Sequence, residues 1–220
     1  MQIFPRSLNF LPLVAAIAVA SAGAVVTFAL TYYNGPRNYQ VGYMPEQPVP
    51  YSHRLHAGEL GMDCRYCHAN VERSAHAMVP PTQTCMGCHA QIKTDSARLA
   101  PVRESWASGE PIEWVRIHNL PDHAYFNHSV HVSAGVGCVS CHGRIDQMEV
   151  VAQAEPLSMG WCLDCHRNPE PHLRPLDRIT DMDWELGQSP DEEVNVREAA
   201  EVAYLADHAV PPEACSGCHR

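Results

Sequence analysis

Every cysteine in this chain belongs to a Cys-x-x-Cys pair with histidine as the next residue. The five runs are Cys64-Arg65-Tyr66-Cys67-His68, Cys85-Met86-Gly87-Cys88-His89, Cys138-Val139-Ser140-Cys141-His142, Cys162-Leu163-Asp164-Cys165-His166 and Cys215-Ser216-Gly217-Cys218-His219. Two thiols at this spacing can add across the vinyl groups of one haem, and the imidazole that follows then reaches its iron. With 14 histidines in 220 residues, five such coincidences would arise by chance in about one sequence in a million. Zinc ribbons are the competing use of such pairs, but they join pairs two by two into tetrahedral sites, and five pairs would leave one unmatched. The motifs therefore point to five covalently attached c-type haems. Cys64, Cys67, Cys85, Cys88, Cys138, Cys141, Cys162, Cys165, Cys215 and Cys218 are the tethers, and His68, His89, His142, His166 and His219 the proximal iron ligands.

That cofactor load decides the fold class. Only 4 Phe and 4 Trp stand against 18 Pro and 13 Gly, too little large apolar volume for a self-supporting core. Haem rings would supply the missing bulk, so the expected architecture is mainly irregular with short α-helices, wrapped around five haems. The chain without them is expected to be largely unfolded. A formal charge of −10, made more negative by haem propionates, argues against nucleic acid and for a soluble partner with a basic or weakly charged face. Of the 15 cations all but Lys93 are arginine, whose fork can clamp propionates, although a GC-rich genome gives the same bias.

Haem of this kind is attached outside the cytoplasmic membrane, so an export signal is required. From Ser7 to Pro36 there is no Asp, Glu, Lys, Arg or His, and the apolar stretch 10–33 is long enough to cross a bilayer as a helix. Ala20-Ser21-Ala22 resembles a signal-peptide cleavage site, but the apolar run continues through Leu30 to a Tyr32-Tyr33 interfacial pair. An uncleaved single-pass anchor is expected, with Arg6 holding the N-terminus in the cytoplasm and the haem domain in the periplasm. Ala15, Ala18 and Ala22 would let a neighbouring helix approach closely. The organisation expected is an anchor over 1–36, a Pro- and Gly-punctuated linker over 37–50, a first haem module with its connecting segment over 51–125, and a second module over 126–220.

An internal repeat underlies the modules. Tyr51-Ser52-His53-Arg54-Leu55-His56 precedes sites one and two, and Phe126-Asn127-His128-Ser129-Val130-His131 precedes sites three and four. The first histidine lies 11 residues before Cys64 in one copy and 10 before Cys138 in the other. His53, His56, His128 and His131 can thus fill the second axial positions. The segment 90–125 has no haem motif and is expected to pack over the junction, with His123 hydrogen-bonding a propionate. His76 and His208 are expected to face solvent. Ser189-Pro190-Asp191-Glu192 reads as a helix start capped by Ser189, the helix running to about Ala206.

The aromatic-x-His-x-x-His element resembles that of small class III multihaem cytochromes. That resemblance implies His53 at site one, His56 at site two, His128 at site three and His131 at site four. It also implies a last distal ligand just ahead of the preceding motif, the position of Met159. Met148, His118 and His172 are rivals for that fifth place.

Iron with two protein ligands has no vacant position for substrate, so the physical reading is an electron wire with no catalytic site of its own. The anchor, the five motifs and the runs YSHRLHAGELGMDCRYCH, PPTQTCMGCH, WVRIHNLPDHAYFNHSVHVSAGVGCVSCHG and PLSMGWCLDCHRNPEPHLRP resemble the pentahaem cytochrome c subunit of bacterial alternative complex III. The resemblance implies an electron relay in a quinol-oxidising respiratory complex. Its partners would be iron–sulfur and polytopic membrane subunits, with a periplasmic cytochrome c or other soluble carrier as acceptor. An anchored multihaem quinol dehydrogenase, or a partner subunit of a nitrogen- or sulfur-oxide reductase, is the alternative.

Overall fold

The computed structural model describes residues 5–34 and 40–219, which fall into two compact units, 1–41 and 42–220. Parts of the anchor and of the linker, residues 1–4 and 35–39, lie outside the described residues.

In the first unit a 3-10 turn, Arg6–Phe10, runs into the helix α1, Leu11–Asn34. At 24 residues it is about 36 Å long, enough for a hydrocarbon core of about 30 Å. It is apolar all round, and Leu13, Ile17, Val25 and Phe28 are all exposed, the pattern of a helix made for an apolar surround. The Thr31 hydroxyl is satisfied within the helix, its Oγ1 donating to the carbonyls of Thr27 and Phe28 at 2.9 and 3.0 Å.

The second unit is built from short helices joined by long loops. In order they are α2 (Cys64–Cys67), α3 (Thr82–His89), α4 (Ala100–Ser108), α5 (His128–Ser133), α6 (Val139–His142), α7 (Met159–Arg167), α8 (Glu192–His208) and α9 (Cys215–Cys218). Among the described residues there is no strand, only the isolated bridges Ala124 with His219 and Val136 with Leu173. The buried apolar side chains among these residues are few: Val49, Val102, Ile117, Leu173, Ile179 and Val202. Long side chains such as Leu60, Val79, Ile92, Val130 and Val210 are exposed instead.

Polar ties hold what the thin core does not. Gln47 pairs both ends of its amide with the backbone of Val115, at 2.9 and 3.0 Å. Arg54 N donates to Met148 O at 3.0 Å, bringing the first copy of the repeat against the second module. Near the C-terminus the buried Glu198 carboxylate receives Arg178 Nε at 3.0 Å and Trp184 Nε1 at 2.9 Å, docking α8 on the preceding loop. The start of α8 differs from the expectation: Asp191, not Ser189, caps it, accepting from Glu193 N at 3.0 Å. Ser189 stands just ahead of it: its Oγ accepts from Asp191 N at 3.2 Å, and Asn195 reaches back to its N–H and its carbonyl, each at 3.0 Å.

Candidate functional site

Four of the five Cys-x-x-Cys-His runs have both cysteines and the intervening residues on a helical turn, and the fifth, on α6, has Cys138 as its N-cap. On a helix, residues three and four apart share a face. Each run thus turns two sulfurs and one imidazole to the same side, the arrangement that tethering and ligating one macrocycle requires. Local capping fixes these turns: Asp63 accepts from Arg65 N at 2.8 Å ahead of α2, and Ser158 from Trp161 N at 3.3 Å ahead of α7.

The ten cysteines are all free rather than disulfide-bonded. Burial pushes the Cys64 thiol up to about 11 and that of Cys141 to about 12, and it raises Cys67, Cys85, Cys138, Cys162 and Cys165. A neutral sulfur, which a thioether is, suits these surroundings better than a thiolate. The same electrostatics order the sites. Cys67 feels Cys85 and Cys88, Cys64 feels Cys138, Cys141 feels Cys165 and Cys162, and Cys162 feels Cys218. Site two therefore neighbours site one, one neighbours three, three neighbours four, and four neighbours five.

Six of the candidate histidines share one orientation, whereas the Nδ1 of His53 and of His142 is buried without a partner. A ring that donates its Nδ1 hydrogen to a backbone carbonyl keeps Nε2 as the free electron pair. His56 Nδ1 lies 2.8 Å from Ser52 O, His68 2.6 Å from Met78 O, His89 3.0 Å from Ile92 O, His128 2.8 Å from Ala75 O, His131 2.8 Å from Asn127 O, and His166 2.7 Å from Pro212 O. The carbonyl for His68 comes from Met78, a non-glycine residue at φ 72°, an uncommon conformation of the sort found at functional sites.

Spacing supplies the fit test for an iron. A metal–imidazole bond is about 2 Å and the ring nitrogen lies about 1 Å from the ring centre, so two axial imidazoles have centres about 6 Å apart. His56 and His89 are 6.2 Å apart, His131 and His166 6.2 Å, and His128 and His142 6.4 Å. His56 and His89 also line, with Tyr51, Cys85 and Val102, a cleft of about 260 Å³. His53 sits close enough to His68 for the two to act on each other; burial first, then His68 and His56, push His53 down to about 4. The residues present thus fit haem. Among the described residues no three His, Cys, Asp or Glu side chains gather into a metal-holding group.

The two copies of the repeat share one geometry. Tyr51 meets His53 edge-on at 4.8 Å and stacks on His56 at 4.4 Å; Phe126 meets His128 edge-on at 4.7 Å and lies tilted against His131 at 4.6 Å. The extra residue of the first copy is taken up by a π turn, Arg54–Glu59, where the second copy has the ordinary helix α5.

The candidates for the fifth distal place scatter. Met159 begins α7 and is 65% exposed. Met148 Cε lies beside Gly143, next to site three. His118 packs edge-on against His142 at 4.5 Å, too close for an iron between them, with its Nε2 buried and unpartnered. His172 is half-buried in a 3-10 turn, Glu170–His172, against α8. The ring beside His219 is that of His123, at 5.5 Å. Sequence reasoning expected His123 at a propionate and did not place it beside His219, 96 residues on. His76 and His208 are exposed.

No family model matches the chain. It is 34% identical over 98 residues to a protein of Nitratidesulfovibrio vulgaris named as the multiheme cytochrome c subunit of menaquinone reductase, the match covering 44% of this chain and 46% of that protein. The chain thus spans about half the length of the curated relative it matches.

Proposed function

We propose that this protein is a membrane-anchored pentahaem cytochrome c that relays electrons within a quinol-linked respiratory complex, of the alternative complex III type. The observation that carries the reading is the set of histidine pairs standing 6.2, 6.2 and 6.4 Å apart, each joining one Cys-x-x-Cys-His imidazole to one histidine of the repeat. Haem supplies one-electron chemistry when bound, and two protein ligands on each iron keep its coordination unchanged on reduction. The chain's own residues hold the rings, fix the imidazole tautomers through backbone carbonyls and, by the neighbour order two, one, three, four, five, set a linear path. The exposed apolar side chains of the second unit would become the walls of haem clefts, and the arginines would meet propionates. The 24-residue apolar helix supports a single-pass anchor, with the haem unit periplasmic and handing electrons to a soluble carrier. Iron–sulfur and polytopic subunits would be the membrane-side partners.

The relative's name gives a second reading, in which electrons run towards menaquinone. A relay does not fix direction, so partners decide. Purification in mild detergent tests both: pyridine haemochrome analysis should return five haems per chain, and the co-purifying subunits should include quinone-binding membrane proteins. A colourless chain, or one with fewer haems, overturns the pentahaem assignment. Recovery with a soluble nitrogen- or sulfur-oxide reductase overturns the respiratory-complex assignment.

A further inference from the structure

We infer that Arg174 raises the reduction potential of the site-three haem, as a fixed positive charge held beside its first tether, Cys138. The inference rests on the pentahaem reading above and deepens it, from which haems the chain holds to how one of them is tuned. Arg174 stands between the 3-10 turns Glu170–His172 and Leu176–Arg178. This stretch is laced to the run that leads into Cys138: Arg174 N donates to Gly135 O at 2.8 Å, Gly137 N to His172 O at 3.2 Å and Cys138 N to Ile179 O at 3.1 Å. The guanidinium is wedged against Gly137, where any Cβ would fall on it, and lies over the Trp184 ring at 5.3 Å. Only 8% of the residue is exposed; its Nη1 donates to the Asp181 carbonyl, and its Nε is buried without a partner.

A buried cation ordinarily meets a carboxylate. Here the carboxylates of Asp181 and Glu198 pair with Arg178 instead, at 3.8 and 3.0 Å. A guanidinium stays protonated even so. Burial dominates the surroundings of Cys138, and of the charges acting on it Arg174 is the strongest, ahead of Asp63 and Arg65, which form an ion pair at 2.8 Å. An electron added to ferric haem removes one positive charge from the iron centre, so a cation nearby in a low-dielectric interior favours the reduced form. Site three is the middle of the order two, one, three, four, five, so Arg174 favours the electron at the centre of the path.

The test is a spectroelectrochemical titration of the full-length, haem-loaded protein. Arg174→Gln and Arg174→Met, which keep much of the stem but no charge, should retain five haems by pyridine haemochrome analysis and lower one midpoint potential of the five. Arg174→Lys, which keeps the charge, should return that potential towards the unaltered value. In a His128→Ala background, where the site-three iron alone is high-spin, Arg174→Gln should shift the midpoint at which the high-spin signal is lost in electron paramagnetic resonance. Five unchanged potentials in the neutral variants, an equal fall in Arg174→Lys, or a fall confined to the low-spin haems of the His128→Ala background overturns the assignment. Loss of a haem from both neutral variants would make Arg174 a structural residue and overturn it too. Fewer than five haems in the unaltered protein would instead overturn the reading on which it rests.

Discussion

The first and second copies of the aromatic-x-His-x-x-His element reach the same side-chain geometry by different backbones. Around Tyr51 the chain makes a π turn, whereas around Phe126 it makes an ordinary helix, yet the aromatic-to-histidine distances agree within 0.2 Å (4.8 against 4.7, 4.4 against 4.6). What is held constant is the placement of two imidazoles on one aromatic ring; what varies is whatever lies outside it. The outer hydrogen bonds differ accordingly. His128 Nδ1 is tied to Ala75 O at 2.8 Å, while His53 Nδ1 is buried without a partner. The same segment is fastened twice more in the second copy, by His128 N to Ala75 O at 3.3 Å and Ser129 N to Ser74 O at 3.2 Å.

The largest effect expected from this comparison comes from removing the histidines themselves. His53→Ala and His128→Ala should each convert one haem of five to high spin, read by electron paramagnetic resonance. The second should also lower stability by about 1 kcal/mol more than the first, the worth of a hydrogen bond, because it removes an Nδ1 contact to Ala75 O that His53 does not have. Equal thermal stabilities of the two variants would break the distinction between the copies.

Glycine gives the next effect. Gly58, inside the π turn, lies so close to the turn at Ile145–Gln147 that a Cβ would fall on the Asp146 carbonyl oxygen. Its counterpart in the second copy is Ser133, exposed, with its hydroxyl on Val130 O at 3.1 Å. Gly58→Ala should therefore destabilise the protein by about 1–3 kcal/mol, while Ser133→Ala should stay within about 0.5 kcal/mol. Denaturant midpoints of the two variants check this, and a neutral Gly58→Ala would show that the first copy has the freedom of the second.

These outcomes bear on how much could be read from residues alone. The five motifs and the repeat are local patterns, so both were legible, as was the apolar length of α1. The one-residue difference in spacing was visible too, but a difference of one does not say whether a loop, a bulge or a π turn absorbs it. Gly58 facing Asp146 decides that, and it is a contact across the fold. The contact between His123 and His219 was hidden for the same reason: the two lie 96 residues apart, and bridges between isolated residues leave no period in the sequence. The cap of α8 moved from Ser189 to Asp191 because the Ser189 hydroxyl is already taken by Asp191 N, while Asn195, inside the helix, holds the Ser189 backbone. Propensity names good caps but not which backbone groups are already taken.

The smallest effect is expected at the aromatic brace, and it asks whether the two copies use their rings alike. Tyr51 lies between sites one and two, and its hydroxyl is pushed well above the ordinary phenol range by burial, then by Cys67, Cys85 and Cys64. A group held so firmly neutral contributes shape and apolar area, which phenylalanine supplies equally well at position 126. Tyr51→Phe should thus change stability by less than about 0.5 kcal/mol and leave every haem low-spin. Tyr51→Leu, which discards two ring contacts, should cost about 1–3 kcal/mol. A Tyr51→Phe variant as unstable as Tyr51→Leu would mean that the hydroxyl carries the brace in the first copy, and that the two copies share a shape without sharing its cause.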